Sequence, residues 1–184
     1  MDTRYIYIPG LGDHFDPFRR LMLAYWRIRG KKIMLVPMRW SDKSDSHQDK
    51  VNRISVAIDS MDSNHIVLVG ESAGGSMALR TMIDRPEAVE RVVTICGYNH
   101  SGDGVGEYYR KNVPEFYETV LENDRDRPRL DQLLPRITSI YAKDDSVVNP
   151  KYSHIEGAHN ISIAGRIHLF AIVRIVLIHD GLWR

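Results

Sequence analysis

A strand that passes without a break into a helix leaves few folds open, and residues 67–75, Val-Leu-Val-Gly-Glu-Ser-Ala-Gly-Gly, read that way. The run 65–70 is short and apolar. From Ala73 it gives way to an alanine- and methionine-containing segment that should stay helical until just before Pro86. A strand without polar alternation needs cover on both faces, and a parallel sheet flanked by helices supplies it.

The rest of the chain repeats this alternation. Compact runs of Ile, Val, Leu and Tyr predict further strands over 4–9, 32–37, 91–97, 137–142 and 160–164. Phe15, Phe18, Leu21 or Met22, and Tyr25 or Trp26 recur at helical spacing as one apolar stripe. Val51, Ile54, Ile58 and Met61 form another, with Asp49, Lys50, Arg53 and Asp59 on the opposite side. Ser46 with Asp49 resembles a capping pair at the start of that helix. A last helix over about 168–180 is apolar almost all round and should pack deep against the sheet.

Strand and helix in turn imply right-handed crossovers. The expected fold is therefore α/β: a three-layer α/β/α sandwich on a mostly parallel sheet of about six strands. At 184 residues the chain suits a single domain over 1–184 with a real core. Residues 98–135 break the rhythm with Gly102, Gly104 and Gly106, an aromatic helical stretch and a charged run. They read as an excursion from the sheet, placed to cover a site.

Composition narrows the function classes. A formal charge of +1 gives no reason to expect nucleic acid or an anionic membrane as an obligatory partner. One cysteine, Cys96, allows no intrachain disulfide and fits a reducing compartment. The start, Met-Asp-Thr-Arg, leads straight into a strand without the pattern of a signal peptide. The most apolar stretch, 169–178, is half of the ~20 residues a membrane span needs and contains Arg174, so no transmembrane segment is expected. The expected location is the cytoplasm.

Within 67–75 the pattern Gly70-x-Ser72-x-Gly74 carries chemistry. A serine hydroxyl is a weak nucleophile until it is held exposed beside a base. A sharp strand-to-helix turn lifts it clear of the sheet, small neighbours let the backbones approach, and the helix start offers unpaired N–H groups. In this element order and this motif the chain resembles the α/β-hydrolase superfamily, specifically its small members without a large cap domain. The resemblance spans nearly the whole chain in element order, and short motifs carry it at residue level.

That resemblance implies more. In the family the loop after the first strand often reads His-Gly-x-Gly, and the N–H after the first glycine faces the oxyanion. Here the loop is Pro9-Gly10-Leu11-Gly12, so the donor would be Leu11, with Ala73 as the second. A triad also needs an acid and a base in the order Ser, Asp or Glu, His. Residues 143–150, Lys-Asp-Asp-Ser-Val-Val-Asn-Pro, resemble the family's acid loop. Counting back from Val148 selects Asp145, with Asp144 the alternative. Among eight histidines, His168 alone follows a last strand and short loop and opens a helix. His159 precedes that strand at its far end, and His154 lies in the connecting loop.

The expected activity is hydrolysis of a carboxylic ester or related acyl bond in a small-molecule substrate. Ser72 would attack, His168 would act as base and Asp145 would orient it, with neither metal nor organic cofactor. Thioesterase, lysophospholipase and amidase activities use the same chemistry. A binding protein that keeps the fold without turnover is the competing class. Gly102-x-Gly104-x-Gly106 lacks the strand-to-helix context of a dinucleotide fingerprint and reads as a loop. Cys96 reads as a buried small hydrophobe. Tyr108, Tyr109, Phe116 and Tyr117 fit either an acyl pocket or a helix's packing face.

Overall fold

The computed structural model describes residues 2–178; His179 and the expected end of the last helix lie outside them. Six strands form one sheet: β1 (Arg4–Ile8), β2 (Lys32–Leu35), β3 (Ile66–Glu71), β4 (Arg91–Ile95), β5 (Ile137–Ala142) and β6 (His159–Ile163). Their order is β2-β1-β3-β4-β5-β6 and every pairing is parallel. The expected α/β sandwich is the fold observed. β4 stops two residues short of expectation because Cys96 turns to a positive φ of 47°.

The inner strands β1, β3 and β4 run apolar because both faces are covered, whereas the edge strands β2 and β6 are partly exposed. Tyr5, Tyr7, Val67 and Val69 point to one face, where α1 (Asp16–Ile28) and α8 (His168–Ile178) supply Leu23, Trp26, Ile172 and Ile175. Trp26 Nε1 donates to the carbonyl of Val176 at 2.8 Å and ties those two helices together. Ile6, Ile8, Leu68 and Val92 point to the other face. There α2 (His47–Asp59), α3 (Ala73–Asp84) and α5 (Pro114–Arg125) close the second core.

Two helical faces differ from expectation. In α1 the buried stripe is Arg19, Met22, Leu23 and Trp26, whereas Phe15, Phe18, Leu21 and Tyr25 are exposed. The helix is apolar on two sides, so spacing alone does not select the inner one. In α2, capped by the reciprocal Ser46–Asp49 bonds, Val51, Ile54 and Ile58 are buried as expected. Lys50, however, is fully buried too. Its ammonium is met by the carbonyls of Arg39 (3.1 Å) and Asp45 (3.2 Å) and by the Asp45 carboxylate (3.1 Å), which satisfy it without water.

Residues 98–135 hold α4 (Glu107–Asn112), α5 and α6 (Arg127–Asp131). Pro114 has no N–H and starts α5, splitting the aromatic stretch into two helices. α5 lies on α3, with Asn123 Nδ2 donating to the Ser76 carbonyl at 2.9 Å. α7 (Pro150–Ser153) is a single turn after β5.

Candidate active site

The chain leaves β1 for the edge strand β2, then returns past β1 to pair β3 on its other side. The loops after β1 and β3 thus diverge at a switch point, where open α/β sheets form their ligand crevice at the carboxyl ends of the strands. The loop after β1 holds Gly10, Leu11 and Gly12; the turn after β3 holds Ser72.

Ser72 has φ 50° and ψ −121°, a conformation that side chains rarely adopt. It is over-determined by its surroundings. Its N–H donates to the Ile95 carbonyl at 2.9 Å, and its own carbonyl accepts from Gly75 (3.0 Å) and Tyr98 (3.1 Å). The flanking glycines are required by close approach. A Cβ on Gly70 would stand 2.3 Å from the Gly74 carbonyl oxygen, and one on Gly74 would stand 2.2 Å from that of Ile8.

Asp145 follows β5, and His168 opens α8 after β6. His168 Nδ1 and Asp145 Oδ2 are hydrogen-bonded at 2.7 Å. The other carboxylate oxygen accepts the N–H groups of Val147 (2.8 Å) and Val148 (3.0 Å). Burial opposes ionisation of Asp145, but these partners, His168 foremost, hold its carboxyl below the usual carboxylate range. Asp144 is exposed and its N–H turns to the Gly165 carbonyl at 3.3 Å. His168 Nε2 is buried, with no hydrogen-bond partner among the described residues.

The other histidines near the end of the chain lie elsewhere. His159 begins β6 opposite Thr138, at the far end of the sheet from Ser72. His154 Nδ1 pairs with the Tyr141 hydroxyl at 3.0 Å.

Ser72, Ala73, Leu11 and His168 line one cavity of about 510 Å³. Tyr98, Val105, Tyr109, Phe116, Val148 and Ile172 belong to its apolar wall. The expectation for the aromatic stretch therefore divides: Tyr109 and Phe116 reach the cavity, Tyr108 is exposed and Tyr117 packs on the core. Gly104 lies against the Tyr152 ring, so the glycine run serves as close-packed loop.

Two residues that spacing and motif do not single out hold the loop after β1. Glu71, between Gly70 and Ser72, is buried beside Arg19 of α1. Arg19 Nε donates to Glu71 Oε1 at 2.7 Å, and its terminal nitrogens donate to the carbonyls of Gly10 (3.3 Å), Leu11 (3.2 Å) and Gly12 (2.9 Å). The Gly10 N–H donates to Glu71 Oε1 at 3.1 Å, and the Tyr7 hydroxyl donates to Oε2. Burial works against the Arg19 charge, but Glu71 outweighs it and holds the guanidinium above its ordinary value. Asp13 fixes the far side of the loop by accepting the N–H groups of Trp40 (3.0 Å) and Ser41 (2.8 Å). The one signal in the sequence is a glutamate closing an apolar strand.

Two groups bring three donor atoms within 4.8 Å of one another among the described residues: Cys96, Asp145 and His168, and His47, Glu118 and Glu122. In the first, Asp145 and His168 are committed to each other, and burial pushes the Cys96 thiol up to about 12. In the second, Glu118 is exposed and His47 lies in the first turn of α2, where the helix dipole opposes a cation.

Comparison with known proteins bears on this geometry. A model of the alpha/beta hydrolase fold matches residues 6–133, from β1 through the excursion. The chain belongs to the α/β-hydrolase fold family. Solved structures superpose over nearly all of it. A lipase-esterase related protein from Clostridium acetobutylicum shares 15% identity at a TM-score of 0.68, covering 100% of this chain and 95% of that one. Rv0554 from Mycobacterium tuberculosis shares 14% at 0.70, covering 100% and 90%. An alpha/beta hydrolase enzyme from a sediment metagenome of the Mar Chica lagoon, Morocco, shares 20% at 0.61, covering 99% and 87%. No curated protein matches in sequence. At these identities the solved structures establish the fold alone.

Proposed function

We propose that this α/β-hydrolase-fold protein is a serine hydrolase of carboxylic esters. The observation that carries this reading is the His168–Asp145 hydrogen bond beside a cavity that Ser72 also lines, with Ser72 held in a strained elbow.

In this reading an acyl substrate enters the cavity and Ser72 Oγ attacks its carbonyl carbon. His168 Nε2, the ring nitrogen with no partner among the described residues, takes the serine proton. Asp145 holds the imidazole in the matching tautomer and stabilises the imidazolium. Charge collects on the carbonyl oxygen, where the N–H groups of Leu11 and Ala73 meet it. Each such donor is worth about 3–4 kcal/mol in the transition state. His168 then protonates the leaving alcohol, leaving an acyl-serine. Water, deprotonated by the same nitrogen, releases the acid and restores Ser72. In the same reading the chain is one domain, and residues 98–135 are its substrate-facing excursion. The apolar wall from Tyr98, Val105, Tyr109 and Phe116 supports an apolar acyl group.

A fluorophosphonate probe, with mass spectrometry to locate the label, tests the reading directly. Wild-type protein should be labelled at Ser72, and neither Ser72→Ala nor His168→Ala should react. Hydrolysis of p-nitrophenyl esters should fall about 10⁴-fold or more in both. A folded wild-type protein that takes no label and turns over no ester would leave the fold as a binding scaffold instead.

A further inference from the structure

α1 carries two apolar rows half a turn apart. The inner row, Met22, Leu23 and Trp26, is buried against the sheet. The outer row is Pro17, Leu21, Ala24 and Ile28, spaced four, three and four residues apart, so it points straight away from the core. Leu21 is 71% exposed and Ile28 86%. Phe18 and Tyr25 widen that outer row on one side. α8, tied to α1 through Trp26, adds Phe170 at 69% and Ile178 at 66% exposure. Packing does not account for this face, because the core side of both helices is already filled.

Apart from Asp16, the charges on the described residues of α1 and α8 are of one sign. Between residues 16 and 34 the only acid is Asp16, and Arg19 holds it at 2.8 Å. Residues 164–178 contain no acid. Arg20 and Arg27 stand on one flank of the outer row, and Arg166 and Arg174 belong to the α8 side; all four are exposed. The chain's net charge of +1 conceals this segregation. The apolar face also continues to the cavity: Phe15, Ile167 and Leu169 are exposed and line its mouth.

We propose that the outer face of α1 and α8 docks in the plane of an anionic lipid surface. The aliphatic row would enter the acyl boundary while the arginines reach sideways to the phosphates, as interfacial helices do. A second copy of the chain fits less well. A two-fold contact would bring together the like-charged arginines of two copies, which anionic phosphates would neutralise instead. No described helix is long and apolar enough to cross a membrane, so the contact is peripheral.

Flotation of the full chain with vesicles tests this, and Ser72→Ala protein makes the readout independent of hydrolysis. That protein should float with phosphatidylcholine–phosphatidylglycerol vesicles and far less with phosphatidylcholine alone. Leu21→Asp with Ile28→Asp, both on exposed positions and checked for folding by circular dichroism, should weaken binding at least ~10-fold. Each of Arg20→Gln, Arg27→Gln and Arg174→Gln should weaken it about fivefold, and salt should do the same. Absence of flotation overturns the proposal, as does flotation that the paired aspartates leave intact. A dimer by light scattering that those aspartates split, without vesicle binding, assigns the face to a second copy and overturns it as well.

Discussion

Glu71 stands next to Ser72 in sequence, yet its carboxylate is turned away to the loop after β1, where Arg19, Tyr7 and the Gly10 N–H meet it. Arg19 in turn holds three consecutive carbonyls of that loop, Gly10 to Gly12. Pinning the carbonyls on one side fixes where the intervening N–H of Leu11 points. Glu71→Gln keeps the shape but removes the charge that anchors Arg19. If Leu11 N–H stabilises the oxyanion, kcat should fall about 10²-fold with KM nearly unchanged, because the lost contact belongs to the transition state. A rise in KM at constant kcat would assign the pair to substrate binding instead. This pair also marks where reading by motif stopped. The pattern around Ser72 treats its second position as free, and periodicity treats an arginine as a solvent residue. Only the folded chain brings two opposite charges, 52 positions apart, into one buried contact.

At the scale of elements, the approach of α3 to β1 and β3 has no room for a side chain at Gly74. Gly74→Ala would drive a methyl into the Ile8 carbonyl, which sits in backbone and cannot rotate aside. The expected cost is at or beyond the upper end of the ~1–3 kcal/mol range for overpacking, read from denaturant midpoints. Little or no loss would show that the strand-to-helix turn can open. Most of the strands were legible because they are short apolar runs bounded by breakers, as the doubly covered middle of a sheet demands. The inner face of α1 was not, since Phe18 and Leu21 satisfy helical spacing as well as Met22 and Trp26 do. Lys50 was misread for a related reason. A lysine is taken as solvated until three oxygens are found around its ammonium.

For the whole molecule, Asp45 links the segment after β2 to α2 through Lys50 and through one terminal nitrogen of Arg53, 2.7 and 2.8 Å from its two carboxylate oxygens. Burial would raise its pKa, but Arg53 and Lys50 outweigh burial and lower it. A carboxyl whose folded-state pKa is depressed stabilises the fold above its unfolded value of about 3.9, and that stability is lost as pH falls through the folded value. The gap in unfolding midpoint between wild type and Asp45→Asn should therefore be widest near neutral pH. It should narrow as the solution is acidified below about pH 4. A gap that stays constant would mean the ion pairs carry none of it. Such a test needs no knowledge of substrate, because it reads the fold alone.

Cys96 directly follows β4, is fully buried, and has its thiol pushed up to about 12 by that burial. The chain's sole native sulfhydryl is thus chemically silent while the protein is folded. A cysteine introduced at an exposed position such as Leu21 would be the one group a maleimide dye or spin label finds. The wild-type background serves as its own blank, so the outer row of α1 can be watched by spectroscopy without first stripping the molecule of anything.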